Sequence, residues 1–228
     1  MGFFSKLFGK KKKEESKQES VKKEEVKIMG KKLSDEDIRQ LASEFNLKFA
    51  HIKAIFLVEA GGKSGFLAED PQIPVTLQEG HIFYKYLKQK GKDVDTIAKN
   101  YPTICYPKWT KAYYKKGKAE YERYLLAKKI DEECAMMSTS WGMGQVMGFN
   151  YKAAGYDCLK DFVDSMYCSE KDQLLAMCRF IKSNTKMYNA LKNEDWATFA
   201  RLYNGSGYAA NKYDEKLKKA FDTYKNIQ

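Results

Sequence analysis

From Leu33 onward, apolar residues recur at intervals of three and four, which is the spacing of one face of an α-helix. Ser34 precedes the first such stretch as an N-cap, with Asp37 three residues later. A second helix is expected from about Lys48 and should end at the Gly-Gly pair at 61–62. Further helical patterns cover residues 80–89, 117–135, 151–166, 170–183, 195–203 and 211–225.

Residues 65–78 interrupt the helical pattern, because they contain glycine, two prolines and short β-prone pieces around Ile73, Val75 and Leu77. This composition predicts one small β-hairpin or an irregular strand pair early in the domain. The expected fold is therefore mainly α, of the α+β type. A chain of 228 residues is long enough to give such a domain a substantial core.

Residues 1–32 differ from the rest, since they carry eleven Lys and five Glu and so contribute +6 to the net charge of +11. Residues 10–32 have almost no apolar content, which predicts a disordered tail. Residues 1–13 combine apolar side chains with a run of Lys, which predicts an anchor on an anionic membrane surface; a solubilising tail is the alternative. We therefore divide the chain into a tail (1–32) and a folded catalytic domain (33–228).

Several classes of protein are disfavoured. The apolar start is interrupted by Lys6 and precedes the Lys run, which is the wrong order for a secretory signal, so we expect synthesis in the cytoplasm. The odd number of widely spaced cysteines favours reduced thiols. The chain has no CxxC pair and only two His, so no metal site is expected. Residues 111–118 mix Lys and Tyr as nucleic-acid patches do, but we interpret them as a solvated face toward an anionic cell wall, with no nucleic-acid partner.

Glu59 is the first candidate for catalysis, because it ends an otherwise apolar helix and is followed by two glycines. Apolar neighbours raise the pKa of a carboxyl group, and a carboxyl that stays protonated can donate to a glycosidic oxygen. The glycines let the chain turn and a substrate approach. The alternative is a solvated Glu at a helix end.

Three further segments carry polar residues beside glycines. In residues 138–148, Trp141 and Gln145 lie among three glycines, which suits either a ligand-facing turn or a turn over a core Trp. Tyr203 and Asn204 precede a flexible loop, or cap a helix end. Glu79 lies where the hairpin gives way to a helix, either as a second catalytic carboxylate or as a favourable charge at a helix N-terminus.

The tryptophans are open to two interpretations, because an indole can stack on a sugar ring or fill a core. For Trp109 the core is the expected place. For Trp141, which has glycine beside it, contact with a sugar is as well supported as burial.

Taken in order, a helix-terminal Glu, a Gly-Met-x-Gln segment and a Tyr-Asn-x-x-Gly segment resemble the goose-type lysozyme and lytic transglycosylase group. More closely, the chain resembles the N-acetylmuramidase domain of modular endolysins from phages that infect Gram-negative bacteria. The clearest matching segments are VEAGG at 58–62, SWGMGQVMGFNY at 140–151 and FARLYNGSGYA at 199–209. Shorter matches lie at 79–84, 106–109, 120–122, 161–163 and 195–196, so the resemblance extends over nearly the whole folded part.

The resemblance implies a lysozyme-like fold and cleavage of the peptidoglycan bond between N-acetylmuramic acid and N-acetylglucosamine, without a cofactor. It implies that Glu59 is the catalytic acid and that Gln145, Tyr203 and Asn204 line the groove. We expect Glu79 to be the second carboxylate, which orients water or stabilises positive charge on the sugar. Two acidic residues on the hairpin compete for this role, Glu69 and Asp70.

Other functions stay open at this point. A lytic transglycosylase would share the single catalytic Glu but release anhydro-muramic ends, and a basic binder of membrane or nucleic acid would need no buried acid. The enzyme would serve as a phage lysis protein or as an effector delivered into rival bacteria, and we expect it to be a monomer.

Overall fold

The computed structural model describes residues 32–227. The predicted disordered tail, except for its last residue, and the predicted membrane anchor at residues 1–13 lie outside these residues. Within residues 32–227, no helix is both long enough and apolar enough to cross a bilayer.

The described residues form a helical domain with one small sheet, so the predicted fold class is confirmed. The α-helices are α1 (Asp35–Glu44), α2 (Phe49–Glu59), α3 (Gly80–Gln89), α4 (Val94–Asn100), α5 (Lys118–Ile130), α6 (Glu132–Met137), α7 (Leu159–Met166), α8 (Glu170–Ser183), α9 (Thr185–Lys192), α10 (Trp196–Asn204) and α11 (Tyr213–Tyr224). The strands are β1 (Thr76–Gln78), β2 (Thr139–Trp141) and β3 (Val146–Met147). Short 3₁₀ turns cover Gly148–Asn150 and Ser206–Asn211.

Local signals set the ends of the first two helices. The Ser34 hydroxyl accepts a hydrogen bond from the Asp37 amide at 3.1 Å, and the Asp37 carboxylate accepts one from the Ser34 amide at 3.0 Å, which is the predicted capping box. Helix α2 ends at Glu59 because Gly61 and Gly62 follow with φ of +60° and +65°. Side chains rarely adopt these angles, so the pair provides the predicted helix stop.

The sheet differs from the predicted hairpin. The segment before β1 forms only an isolated bridge between Phe66 and Pro74. Instead, β1 pairs antiparallel with β2, which pairs with β3, and Leu77 lies opposite Ser140. The partner strands come from the glycine-rich segment about sixty residues later, and no local turn signal indicates so distant a pairing.

Two helical patterns differ from the prediction, and two helices were not predicted. The pattern at 117–135 is two helices, because Asp131 ends α5 and its carboxylate then caps α6 by accepting from the Cys134 amide at 3.0 Å. In the stretch 151–166 only the part from Leu159 is α-helical. Helices α4 and α9 were not predicted, and both are short elements whose N-caps are Asp93 and Asn184.

The core lies around α2. Ile52, Ala54 and Ile55 on this helix are fully buried, and α11 and α1 pack against it. Burying such side chains contributes about 1.5–3 kcal/mol each. The last turn of α2 is therefore held in a fixed place, and that turn carries Glu59.

Candidate active site

Glu59 is half-buried at the C-terminal end of α2. Its Oε1 accepts a hydrogen bond from Asn204 Nδ2 at 3.1 Å. Burial raises the pKa of the Glu59 carboxyl from 4.5 to about 7, while the Asn204 hydrogen bond opposes that rise. A carboxyl with this pKa is protonated in a large fraction of molecules near neutral pH and can act as a general acid.

Tyr203 and Asn204 close the Glu59 side of the site from the last turn of α10. The Tyr203 hydroxyl donates to the Gly144 carbonyl at 2.8 Å, and its ring stacks on Phe199. Burial first, and the charge of Glu59 second, raise the pKa of Tyr203 well above its ordinary value, so the hydroxyl stays a donor. The two residues therefore link the Glu59 carboxyl to the turn between β2 and β3.

Gln145 lies in that turn with a positive φ of 46°. Its side-chain Nε2 donates to the Gly142 carbonyl at 2.8 Å, and its Oε1 accepts from the Ser140 hydroxyl at 2.9 Å. A left-handed backbone conformation is uncommon for a residue other than glycine. The two side-chain hydrogen bonds of Gln145 stabilise this conformation. Most of the amide's hydrogen-bonding capacity is used within the protein, so Gln145 shapes the turn while its remaining surface is exposed.

Glu79 follows β1 directly and precedes the first residue of α3. Its side chain makes no capping bond to α3. Instead, Oε2 accepts a hydrogen bond from the Tyr114 hydroxyl at 2.7 Å and lies 3.3 Å from His81 Nδ1. The Glu79 side chain is only 15% exposed, so it too is largely buried, but polar neighbours hold its carboxyl where Glu59 has one amide.

The sheet register separates these two carboxyl groups. Thr76 pairs with Trp141, next to the turn that carries Gln145, whereas Gln78 pairs with Thr139 at the other end of β1. Glu79 extends the strand beyond Gln78 and shares its face with Leu77, because side chains alternate along a strand. Glu59 therefore connects to one end of the β1–β2 pair through Tyr203 and Asn204, and Glu79 lies at the other end.

The two competing acidic residues have local partners. Glu69 Oε1 accepts from the Lys118 backbone amide at 2.7 Å, at the start of α5. Hydrogen bonds from its own backbone amide first, and from that of Lys118 second, lower the pKa of Glu69. Asp70 Oδ1 accepts from the Gln72 amide at 3.2 Å within its own turn. Both carboxylates therefore bind backbone amides and stabilise the loops in which they lie.

The tryptophan predictions are corrected by the structure. Trp141 is only 1% exposed, its Nε1 donates to the Met136 carbonyl at 3.2 Å and its ring packs edge-on to Tyr124, so it is a core residue and its ring faces cannot reach a sugar. Trp109, expected in the core, is 59% exposed. Lys111 Nζ lies 5.6 Å from the centre of its ring. The glycine after Trp141 suggested an exposed turn, yet a Cβ at Gly142 would lie 2.8 Å from the buried Gln173 side chain, so this turn is closely packed.

Two buried polar residues on α8 were missed by the sequence analysis. Glu170 accepts hydrogen bonds from the Ser64 hydroxyl at 2.5 Å and the Gly65 amide at 3.2 Å. Gln173 accepts from the Met143 amide at 2.9 Å and donates to the Gly65 carbonyl at 3.3 Å. Together they fasten the loop after Glu59 and the β2–β3 turn to one helix. The sequence does contain a signal for them: two polar residues, three positions apart, interrupt the apolar face of α8, which indicates buried hydrogen-bonding side chains.

A second buried network fixes the strand before Glu79. The backbone amide of Gln78 donates to Glu120 Oε1 at 2.9 Å, and Arg123 Nη2 donates to the side-chain oxygen of Gln78, Oε1, at 3.1 Å. Glu120 and Arg123 also form an ion pair with each other. Because Gln78 is fully buried among these partners, the next residue must turn its side chain to the other face. Among residues 32–227, no group of acidic, His or Cys side chains is arranged to hold a metal ion.

Comparisons with known proteins identify the family of the chain. The N-acetylmuramidase family model matches residues 48–225. A crystal structure of an endolysin of the Burkholderia phage AP3 superposes with a TM-score of 0.79 and 41% sequence identity, over 86% of this chain and 73% of the endolysin chain. No curated protein sequence matches the chain. The chain therefore belongs to the N-acetylmuramidase family and is a muramidase-type glycoside hydrolase of peptidoglycan.

Proposed function

We propose that Glu59 is the general acid of this muramidase and that Glu79 is the second carboxyl group. The observation that carries the first assignment is the burial of Glu59, with the resulting pKa of about 7. Oε1 is engaged by Asn204, and within residues 32–227 no donor is bonded to Oε2. Glu59 Oε2 then protonates the glycosidic oxygen while the bond to C1 of N-acetylmuramic acid breaks.

The second half of the reaction adds water to C1, and one proton of that water must leave. Glu79 is proposed to orient the water or to stabilise positive charge on the sugar ring. The Tyr114 hydroxyl, which donates to Glu79 Oε2 at 2.7 Å, holds the carboxyl in place for such a role. A second carboxyl group either positions water in this way or attacks the sugar directly, and we propose the first route for Glu79.

Gln145, Tyr203 and Asn204 are proposed to border the substrate groove. Tyr203 and Asn204 hold Glu59 and the β2–β3 turn in their relative positions, and Gln145 sets the backbone of that turn. The sugar contacts of Gln145 would come from the part of its side chain that stays exposed. Trp141 has no place in this proposal because it is buried.

The product decides between a hydrolase and a lytic transglycosylase. Purified peptidoglycan should be digested with the full chain and the muropeptides weighed. We expect reducing N-acetylmuramic acid ends, and Glu79→Ala should be folded but lose about tenfold to a hundredfold in rate, because water is no longer positioned. Products uniformly one water lighter would identify a transglycosylase and remove the role of Glu79.

We further propose that the enzyme acts as a phage endolysin, since the similar solved structure is described as one. The cell wall is the site of action, and residues 1–13 would add attachment to an anionic membrane surface. Deletion of residues 1–31 should leave turnover of soluble glycan fragments unchanged and weaken binding to vesicles that contain anionic lipid. Equal vesicle binding by both proteins would remove the proposed attachment.

A further inference from the structure

A groove of about 500 Å³ runs between α2 and α11, outside the contacts described for the active site. Leu57, Val58 and Gly61 form its α2 side, and Ala220 contributes apolar surface from α11. Val58 and Gly61 lie on either side of Glu59 in the chain. Glu59 itself does not line the groove, but its chain neighbours Val58 and Gly61 do, so the groove and the proposed catalytic acid share the C-terminal end of α2.

Helix α11 leads away from the same place. Its first residue, Tyr213, is close enough to Glu59 for the carboxyl to raise the pKa of the tyrosine, after burial as the larger cause. The groove then follows α11 from Lys216 to Tyr224. Eight residues of helix rise about 12 Å, which matches about four residues of an extended peptide.

Two cations on this wall are not neutralised by the protein. Lys216 and Lys219 face the groove, and among residues 32–227 neither has a carboxylate within ion-pair distance. Lys216 Nζ lies 5.5 Å from the centre of the Tyr213 ring instead. Two neighbouring lysines are paired instead: Lys218 on α11 and Lys225 directly after it both contact Asp222.

The groove thus combines an apolar floor, two unpaired ammonium groups and the length of a short extended peptide. We propose that it binds the anionic peptide stem of peptidoglycan, which hangs from the N-acetylmuramic acid whose bond is broken. Stem carboxylates would pair with Lys216 and Lys219, and the small apolar side chains of the stem would lie against Leu57 and Ala220. This inference rests on the proposed position of Glu59 at the scissile bond.

The test compares two substrates: glycan strands that carry stem peptides, and the same strands from which an amidase has removed the stems. For Lys216→Ala/Lys219→Ala we expect KM on peptide-bearing strands to rise about fivefold, with kcat within twofold, as two partly exposed ion pairs are lost. KM on stripped strands should not change. The matched control is Lys218→Ala/Lys225→Ala, which removes the same charge from the paired lysines and should leave both KM values unchanged.

Lys216→Gln/Lys219→Gln repeats the measurement with longer side chains in case the alanine variant is unstable. An equal rise of KM on both substrates, or an equal rise in the control, would show a general charge effect and overturn the proposal, as would an unchanged KM on peptide-bearing strands. Near-normal cleavage of both substrates by a folded Glu59→Gln variant would instead count against the placement of Glu59. The two failures are therefore distinguishable.

Discussion

The Glu59 end and the Glu79 end of the β1–β2 pair hold the same type of side chain in opposite surroundings. Glu59 closes a buried helix and accepts one hydrogen bond from an amide, so desolvation determines its behaviour. Glu79 stands at the edge of a loop with a tyrosine hydroxyl and an imidazole beside it. On the assignment proposed above, environment rather than residue type distinguishes the acid from the second carboxyl group.

The largest expected effect is that of Glu59→Gln. The amide keeps the shape of the side chain but has no acidic proton to donate, so hydrolysis should slow by about 100-fold to 10,000-fold. Turnover of purified peptidoglycan measures this, and the melting temperature serves as the folding control. Near-normal turnover by the folded variant would mean that the acid lies elsewhere, and the contrast between the two ends would disappear.

The second prediction contrasts the tryptophans of the two ends. Trp141→Ala should lower the free energy of unfolding by about 3–5 kcal/mol, because it opens a large cavity under the sheet. Trp109→Ala should change the free energy of unfolding by less than about 0.5 kcal/mol, as is usual for an exposed side chain. Urea unfolding of both variants measures the difference. Similar losses of stability would show that the Glu79 end is packed as tightly as the other.

The third prediction concerns the pH dependence of stability. Because burial raises the pKa of Glu59 in the folded state, the folded protein binds its proton more tightly than the unfolded chain does. The contribution of Glu59 to stability is therefore complete below about pH 4.5 and is lost as the pH rises through about 7. The loss is at most about 3.5 kcal/mol, since one pKa unit corresponds to about 1.4 kcal/mol.

Urea unfolding of the natural chain and of Glu59→Gln at pH 5 and pH 8 tests this. The variant lacks the titrating group, so it should gain stability relative to the natural chain as the pH rises. A constant difference between the two proteins across this range would contradict the elevated pKa.

The smallest effect is expected for Tyr114→Phe, which removes the hydroxyl that donates to Glu79 and that also interacts with the Trp109 side chain. Loss of one such positioning contact should reduce kcat by less than about tenfold, with KM nearly unchanged. Tyr113→Phe is a suitable control on the neighbouring residue. A Tyr114→Phe loss as large as that of Glu79→Ala would mean that the hydroxyl itself takes part in the reaction.

The sequence predicted the Glu59 end better than the Glu79 end, for a physical reason. Glu59, Tyr203 and Asn204 lie at helix ends, where apolar spacing and glycine stops are local signals. The hydrogen bond of Glu79 comes from Tyr114, thirty-five residues away in a loop without periodicity. The pairing of β1 with β2 likewise depends on contacts that no short segment encodes.

Glu170 and Gln173 have a consequence for the dynamics of the enzyme. They fix the loop after Glu59 and the β2–β3 turn to the same helix. Because the Gln173 side chain bonds to both loops, a displacement of one loop disturbs the hydrogen bond that holds the other. Local opening at Gly65 and at Met143 should therefore be one cooperative event, with similar hydrogen-exchange protection at both amides. The substrate groove at Glu59 would then open by a displacement of the whole helix α8, which is slower than the fluctuation of a single loop.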